Sequence, residues 1–112
     1  MERLRKNAQF SDVYRTHSSF ADKRLVMYIR NNGESFNRVG VSVSKKVGNS
    51  VVRHRIKRLV KEAFRNSEEL FNSGLDIVFV AKKSAAKMSY KEAEESLMGL
   101  AASHRILKRS GN

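Results

Sequence analysis

Residues 38–65 read RVGVSVSKKVGNSVVRHRIKRLVKEAFR, and three patterns follow one another along them. From Arg38 to Lys46 apolar and small residues alternate. Val39, Val41 and Val43 face one way, and Gly40, Ser42, Ser44 and Lys46 the other, as in a half-buried strand. Gly48-Asn49 breaks that strand, and Asn49 or Ser50 suits the cap of a helix running to about Arg65. On a helical wheel starting at Val51, Val52, Ile56, Leu59, Val60, Ala63 and Phe64 fall within about 80° to 220°. His54, Arg55, Lys57, Arg58, Lys61 and Arg65 occupy the opposite arc. Arg53 falls on the apolar side, but in the first turn, where a side chain can fold back toward the helix N-terminus. One stripe of this helix therefore needs a sheet to pack on, and the other is cationic.

Outward from this unit the chain reads as α-β-β-α-β-α. Residues 7–17 predict a short helix, with Asn7 as its cap and Phe10, Val13, Tyr14 and His17 on one face. RLVMYIR (24–30) is a strand with Leu25, Met27 and Ile29 on one side and Val26 and Tyr28 on the other. Asn31-Asn32-Gly33 marks a turn. A third strand covers 75–81, and Ser89 with Glu92 forms a capping box that opens a helix to about Lys108. The fold class is α+β: a small mixed sheet with helices packed on it as a two-layer α/β sandwich, forming one domain over 1–112. Direct pairing of the first two strands would put Val26, Tyr28, Gly40, Ser42 and Ser44 on one face. With Phe10 and Tyr14 beside them they would wall a shallow trough of rings and hydroxyls, suited to an unpaired nucleic-acid strand.

Composition narrows the function. The 112 residues hold 23 Lys plus Arg against 11 Asp plus Glu, a formal charge of +12. Between Lys45 and Arg65 stand Lys45, Lys46, Arg53, Arg55, Lys57, Arg58, Lys61 and Arg65 against Glu62 alone. An ordinary solvated helix face mixes signs to gain i,i+4 pairs; this one repels itself until an anion meets it. Nucleic acid is the partner such a face fits. A membrane-surface role fits less well, since a helix lying on lipid keeps its apolar face for lipid. No Cys is present, so disulfides, thiolate zinc sites and a cysteine nucleophile are excluded. No apolar run nears the ~18 residues of a membrane span, and MERLRKNAQF lacks the apolar stretch of a signal peptide, so a cytoplasmic protein is expected. His17, His54 and His104 share no metal-ligand spacing, and Gly48 stands alone rather than in a phosphate-binding loop. Glu92, Glu94 and Glu95 suit a solvated helix N-terminus, and Asp76 suits pairing with Lys or Arg. No small-molecule substrate is indicated. A ribonucleoprotein subunit and a ribosomal or DNA-binding module both fit these residues, whereas the lack of a carboxylate cluster or His pair argues against a protein-only nuclease.

The strand ending Ser42-Val43-Ser44-Lys45-Lys46, the Gly48-Asn49 turn, Arg53-His54-Arg55 and Ile56-Lys57-Arg58 together resemble the bacterial ribonuclease P protein component. The resemblance runs over nearly the whole chain, through the Phe10–Tyr14 helix, LVMY, IVFVAKK and the last helix. One departure is His54, where the family has the Asn of an Arg-Asn-Arg motif; another is Tyr14, where Phe is common. The resemblance implies a left-handed β-α-β crossover, against the usual hand. It also implies a catalytic RNA partner docked on Lys45, Lys46, Asn49, Arg53, His54, Arg55, Lys57, Arg58, Lys61 and Arg65. The 5′ leader of precursor tRNA would lie on Phe10, Tyr14, Val26, Tyr28, Ser42 and Ser44. Mg²⁺ would act through the RNA, with no catalytic residue on the protein.

Overall fold

The computed structural model describes residues 1–109. Its elements are β1 (Glu2–Arg3), α1 (Asn7–Tyr14), β2 (Ser19–Ala21), β3 (Leu25–Asn31), β4 (Arg38–Ser42), α2 (Ser50–Ser67), β5 (Leu75–Ala81) and α3 (Tyr90–His104). Short 3-10 helices lie at Glu68–Leu70 and Lys83–Lys87. The strands form one mixed sheet in the order β1-β4-β5-β3-β2. The β1–β4 and β4–β5 pairs are parallel, and the β3–β5 and β2–β3 pairs antiparallel. Sheet, α2 and α3 make the expected two-layer body around a core that includes Phe64, Phe79, Ile77, Met27 and Leu97. α1 lies on the other face and covers part of it, over Leu4, Val13 and Val78.

The major elements follow the predicted order, but the first two predicted strands do not pair. β5 separates them, bonded to β4 on one side and β3 on the other. The reason lies in its sequence: six of the seven residues of LDIVFVA are buried, and a strand apolar on both faces belongs at the centre of a sheet. The strand predicted to reach Lys46 ends at Ser42. Val43 and Val47 then turn inward, and the Val47 N–H closes a turn on the Ser44 carbonyl at 3.1 Å.

Helix termini show what set their limits. Asn49 caps α2, its side-chain oxygen accepting from the Val52 N–H at 3.0 Å. Ser89 and Glu92 exchange the two bonds of the capping box, at 3.1 and 3.0 Å. The Ser89 backbone N–H, and then the charge of Arg24, hold the Glu92 carboxyl below its ordinary pKa. α3 stops at His104, short of Lys108, because Arg105 adopts a left-handed conformation (φ 59°). α1 begins at Asn7 but is not capped by it. Gln9 instead reaches back to accept from the Arg5 and Lys6 N–H groups at 2.8 and 3.1 Å. The helix ends at Tyr14, short of His17, which lies outside it at φ 54°.

On the α1 face the ladder lines up three rows of residues. Arg38, Asp76 and Arg30 form the first; Gly40, Val78 and Tyr28 the second; Ser42, Val80 and Val26 the third. Asp76 has a side-chain exposure of 1%. It accepts from Arg38 Nε and Nη2 at 2.7 and 2.9 Å, from Arg30 Nη1 at 3.2 Å and from Asn32 Nδ2 at 3.0 Å. The hydrogen bond to Asp76 raises the pKa of Arg38 above its already high ordinary value. Removing one member of a buried pair leaves charge without a partner, which costs about 3–5 kcal/mol. Here both arginines keep some access to water, so Asp76→Ala is expected to lose about 3 kcal/mol in urea unfolding, with Asp76→Asn between it and the parent. Equal stability of all three proteins would mean that the pairs do not hold the sheet.

Candidate nucleic-acid interface

The second row creates a groove. Gly40 lies beneath Phe10: a Cβ there would come within 2.5 Å of the ring's Cζ. The missing side chain is what lets the ring sit on the sheet. One turn on, Tyr14 meets Tyr28 edge to face, with centroids 4.9 Å apart and planes at 76°. Buried Val13, Leu4 and Val78 support these rings, which stay half-buried themselves. Beside them opens a cleft of about 370 Å³. Asn7, Phe10, Ser11 and Tyr14 form one wall, and Val41, Ser42 and Val43 the other, with Lys57 of α2 at its edge. Burial raises the Tyr14 pKa, with the Ser42 hydroxyl offsetting part of the effect and Tyr28 adding to it. Tyr14 therefore stays a neutral hydroxyl at physiological pH, able to donate and accept.

A second cleft, of about 400 Å³, lies around the exposed side of α2. His54, Lys57, Arg58, Lys61 and Arg65 line it, joined by Arg3 from β1. Among the described residues no carboxylate lines it. Partial burial depresses the Lys61 pKa, and the charges of Arg3 and Lys57 depress it further. Cations have been brought together here at a cost that an incoming anion would relieve. Lys57 lines both clefts, so the ring-lined groove and the cationic cleft meet at its side chain.

The predicted residues separate on this geometry. Of the cationic set, Lys45 and Lys46 are exposed in the turn before α2, and the side chain of Asn49 is engaged as the helix cap. Arg53 folds back toward the helix N-terminus, its Nε donating to the Gly48 carbonyl at 3.2 Å. Arg55 leaves the cationic cleft: its Nη2 donates to the Met88 carbonyl at 2.7 Å and ties α2 to the segment before α3. Of the predicted trough, Phe10, Tyr14 and Ser42 line the groove, and Tyr28 lies against Tyr14. Val26 shares their sheet face, one row further along. Ser44 is exposed in the turn beyond the end of β4 and is not brought onto the groove wall.

Sequence reasoning missed Asn7, Ser11 and Arg3. Asn7 and Ser11 were legible, since i, i+4 and i+7 from Asn7 place Ser11 and Tyr14 on one helix face. Arg3 carried no local signal. Its place depends on β1 joining the edge of β4, with the Glu2 and Leu4 N–H groups donating to the Asn37 and Val39 carbonyls. The histidines are apart here as well. His104 is half-buried, its Nε2 lying 2.7 Å from the Met27 carbonyl and its ring edge-on to Phe20. Among the described residues no helix is long and apolar enough to cross a membrane.

Comparison with known proteins gives this surface a family. The model of the ribonuclease P family matches residues 1–105. The ribonuclease P protein component of Lachnoclostridium phytofermentans is 51% identical over 109 residues, covering 97% of this chain and 94% of that protein. The corresponding protein of Alkaliphilus oremlandii is 49% identical over 100 residues, covering 89% and 88%. Among solved structures, the RNase P protein of Staphylococcus aureus superposes with a TM-score of 0.87 at 32% identity, covering 96% of this chain and 99% of that one. The Thermotoga maritima RNase P protein gives 0.81 at 29% identity, covering 89% and 94%. Groove, cationic cleft and the β4–α2 unit between them all fall within the matched residues, and the chain belongs to the ribonuclease P protein family.

Proposed function

We propose that this chain is the protein subunit of a ribonuclease P ribonucleoprotein, acting in the cytoplasm on the 5′ leader of precursor tRNA. In this reading the catalytic RNA docks on the cationic face of α2 and the turn before it, and the leader lies in the groove under α1. The observation that carries the reading is the meeting of two unlike surfaces at Lys57. Clustered cations neutralise phosphates whatever their sequence. Half-exposed rings and hydroxyls suit bases that are not already stacked and paired. A precursor differs from the mature tRNA in having such bases, so a groove that holds them favours substrate over product.

The chemistry in this reading belongs to the RNA, where Mg²⁺ would activate the attacking water. The described residues bring no three His, Asp or Glu side chains together as a cradle for a metal ion. The protein's own part is to bind the leader and to lower the repulsion between two RNAs, which reduces the need for free Mg²⁺. Precursor cleavage at low Mg²⁺ by a bacterial ribonuclease P RNA, with and without the protein and with a protein-only control, tests this directly. The expected outcome is protein-dependent rescue of cleavage at the mature 5′ end and no cleavage by protein alone. Cleavage by the protein alone would favour a nuclease in its own right. Failure to rescue an RNA that is active at high Mg²⁺ would count against the subunit reading.

Two sets of substitutions separate the surfaces. Lys57, Arg58 and Lys61 changed together to Ala should weaken assembly with the RNA and flatten its salt dependence by about 2 in log–log slope, as three fewer counterions are released. An unchanged slope would remove this face from the RNA contact. Phe10→Ala and Tyr14→Ala should each weaken precursor binding about tenfold, as expected for the loss of one stacking contact of 1–3 kcal/mol, while mature tRNA affinity holds. Equal losses for precursor and mature tRNA would show that these rings serve packing rather than the leader.

A further inference from the structure

β4 has an open edge inside the groove. β1 accompanies it only as far as Val39, and the bonds it makes fix which way the β4 backbone faces. The Asn37 and Val39 carbonyls accept from the Glu2 and Leu4 N–H groups at 2.9 and 3.0 Å, so both point away from β5. Backbone groups alternate along a strand, and the next residue with this orientation is Val41. Beyond Arg3 the chain departs into α1, leaving no strand opposite Val41. No turn or loop bond reaches its N–H or carbonyl among the described residues. Yet Val41 is 6% exposed and forms part of the groove wall. Main-chain polar groups in such a place need a partner, supplied by water or by a ligand.

We propose that the Val41 main chain is a nucleobase-binding edge, its N–H and C=O bonding the donor–acceptor edge of one unpaired base in the leader of precursor tRNA. The base would lie against Phe10 and Tyr14, with its phosphate toward Lys57. The inference rests on the reading of the groove as the leader site and adds the group that recognises the base. Each nucleobase carries a donor beside an acceptor on its Watson–Crick edge, which is what a strand edge complements. In a duplex that edge is already taken. An open strand edge therefore selects unpaired nucleotides over a helical stem, without a side chain dedicated to the task.

Val41→Pro is a direct test, since it removes the N–H, and proline is tolerated where the N–H of an edge strand faces outward. Holoenzyme assembled with a bacterial ribonuclease P RNA would be measured for affinity toward precursors carrying single abasic nucleotides at successive leader positions. With the parent protein, one position should weaken binding about tenfold when its base is removed. Val41→Pro should weaken binding of the intact leader about fivefold, the size expected for one hydrogen bond, and add little at that position. Intact-leader affinity equal to the parent's, or effects that multiply at every position, would overturn the proposal. Should Val41→Pro fail to fold, the Val41 amide of the parent protein is followed by NMR as a short single-stranded leader oligonucleotide is added. A downfield shift with slowed exchange is expected, and an unmoved Val41 amide alongside shifted Phe10 and Tyr14 rings overturns it. Binding indifferent to the presence of any leader would remove the groove reading as well, whereas leader dependence that ignores Val41 removes this inference alone.

Discussion

Everything on the α1 face depends on the row formed by Arg38, Asp76 and Arg30. In a sheet the side-chain period is two, so a slip of one residue turns every side chain to the other face. Asp76 lies directly opposite an arginine on each neighbouring strand and is shut away from water, so a slip of β4 or β3 would leave its carboxylate buried without a partner. That penalty holds the register of three strands at once. The next row then falls into place, and Gly40, not a bulkier residue, arrives beneath Phe10. The groove is thus a consequence of an ion pair that does not touch it.

The opposite constraint acts on α2. Its apolar stripe, with Ile56, Val60, Ala63 and Phe64 buried, anchors the helix so firmly that its other side can tolerate like charges at close quarters. Phe64 alone, shut from water and edge-on to Phe71, contributes burial of about 1.5–3 kcal/mol. On the charged side partial burial depresses the Lys61 pKa, and the charges of Arg3 and Lys57 depress it further. A helix held only by its own backbone would relieve that repulsion by fraying. Held by the sheet, it keeps its cations in place, so core packing and the charge density of the exposed face are linked through one element.

Much of this was legible in the sequence, and the reasons for the rest are physical. α2 and β5 could be read because each contains its own signal: an apolar stripe closed by an Asn cap, and a run apolar on both faces. The pairing of Asp76 with a Lys or Arg followed from its residue type beside such a run, although which basic residues could not be known before the register. β1 and β2 were invisible, being two and three residues long, exposed, and held only by the edges they join. Arg3 went unseen with β1. Ser44 lies beyond the ladder although the alternation of Val39, Val41 and Val43 continues past the last ladder partner; Val43 stays inward while the chain is already turning. The central place of β5 is present in its composition, since a run apolar on both faces needs a neighbour on each side.

In the proposed reading the two clefts recognise different properties of RNA, and their junction gives the arrangement its logic. Cations on α2 would respond to phosphate density and weaken steeply with salt; rings and an open strand edge would respond to bases free of partners and depend on salt far less. Affinity and discrimination are therefore assigned to separate surfaces, and either can change without rewriting the other. Lys57 is the exception, since it faces both. In that reading a strand leaving the groove passes its ammonium, and RNA lodged on α2 shares it. Effects of substitution at Lys57 cannot be divided between the two surfaces by a single variant, because groups in one network do not contribute additively. Cycles pairing Lys57 with Tyr14 on one side and with Arg3 on the other would give two coupling energies, and their ratio would say which RNA the shared charge serves.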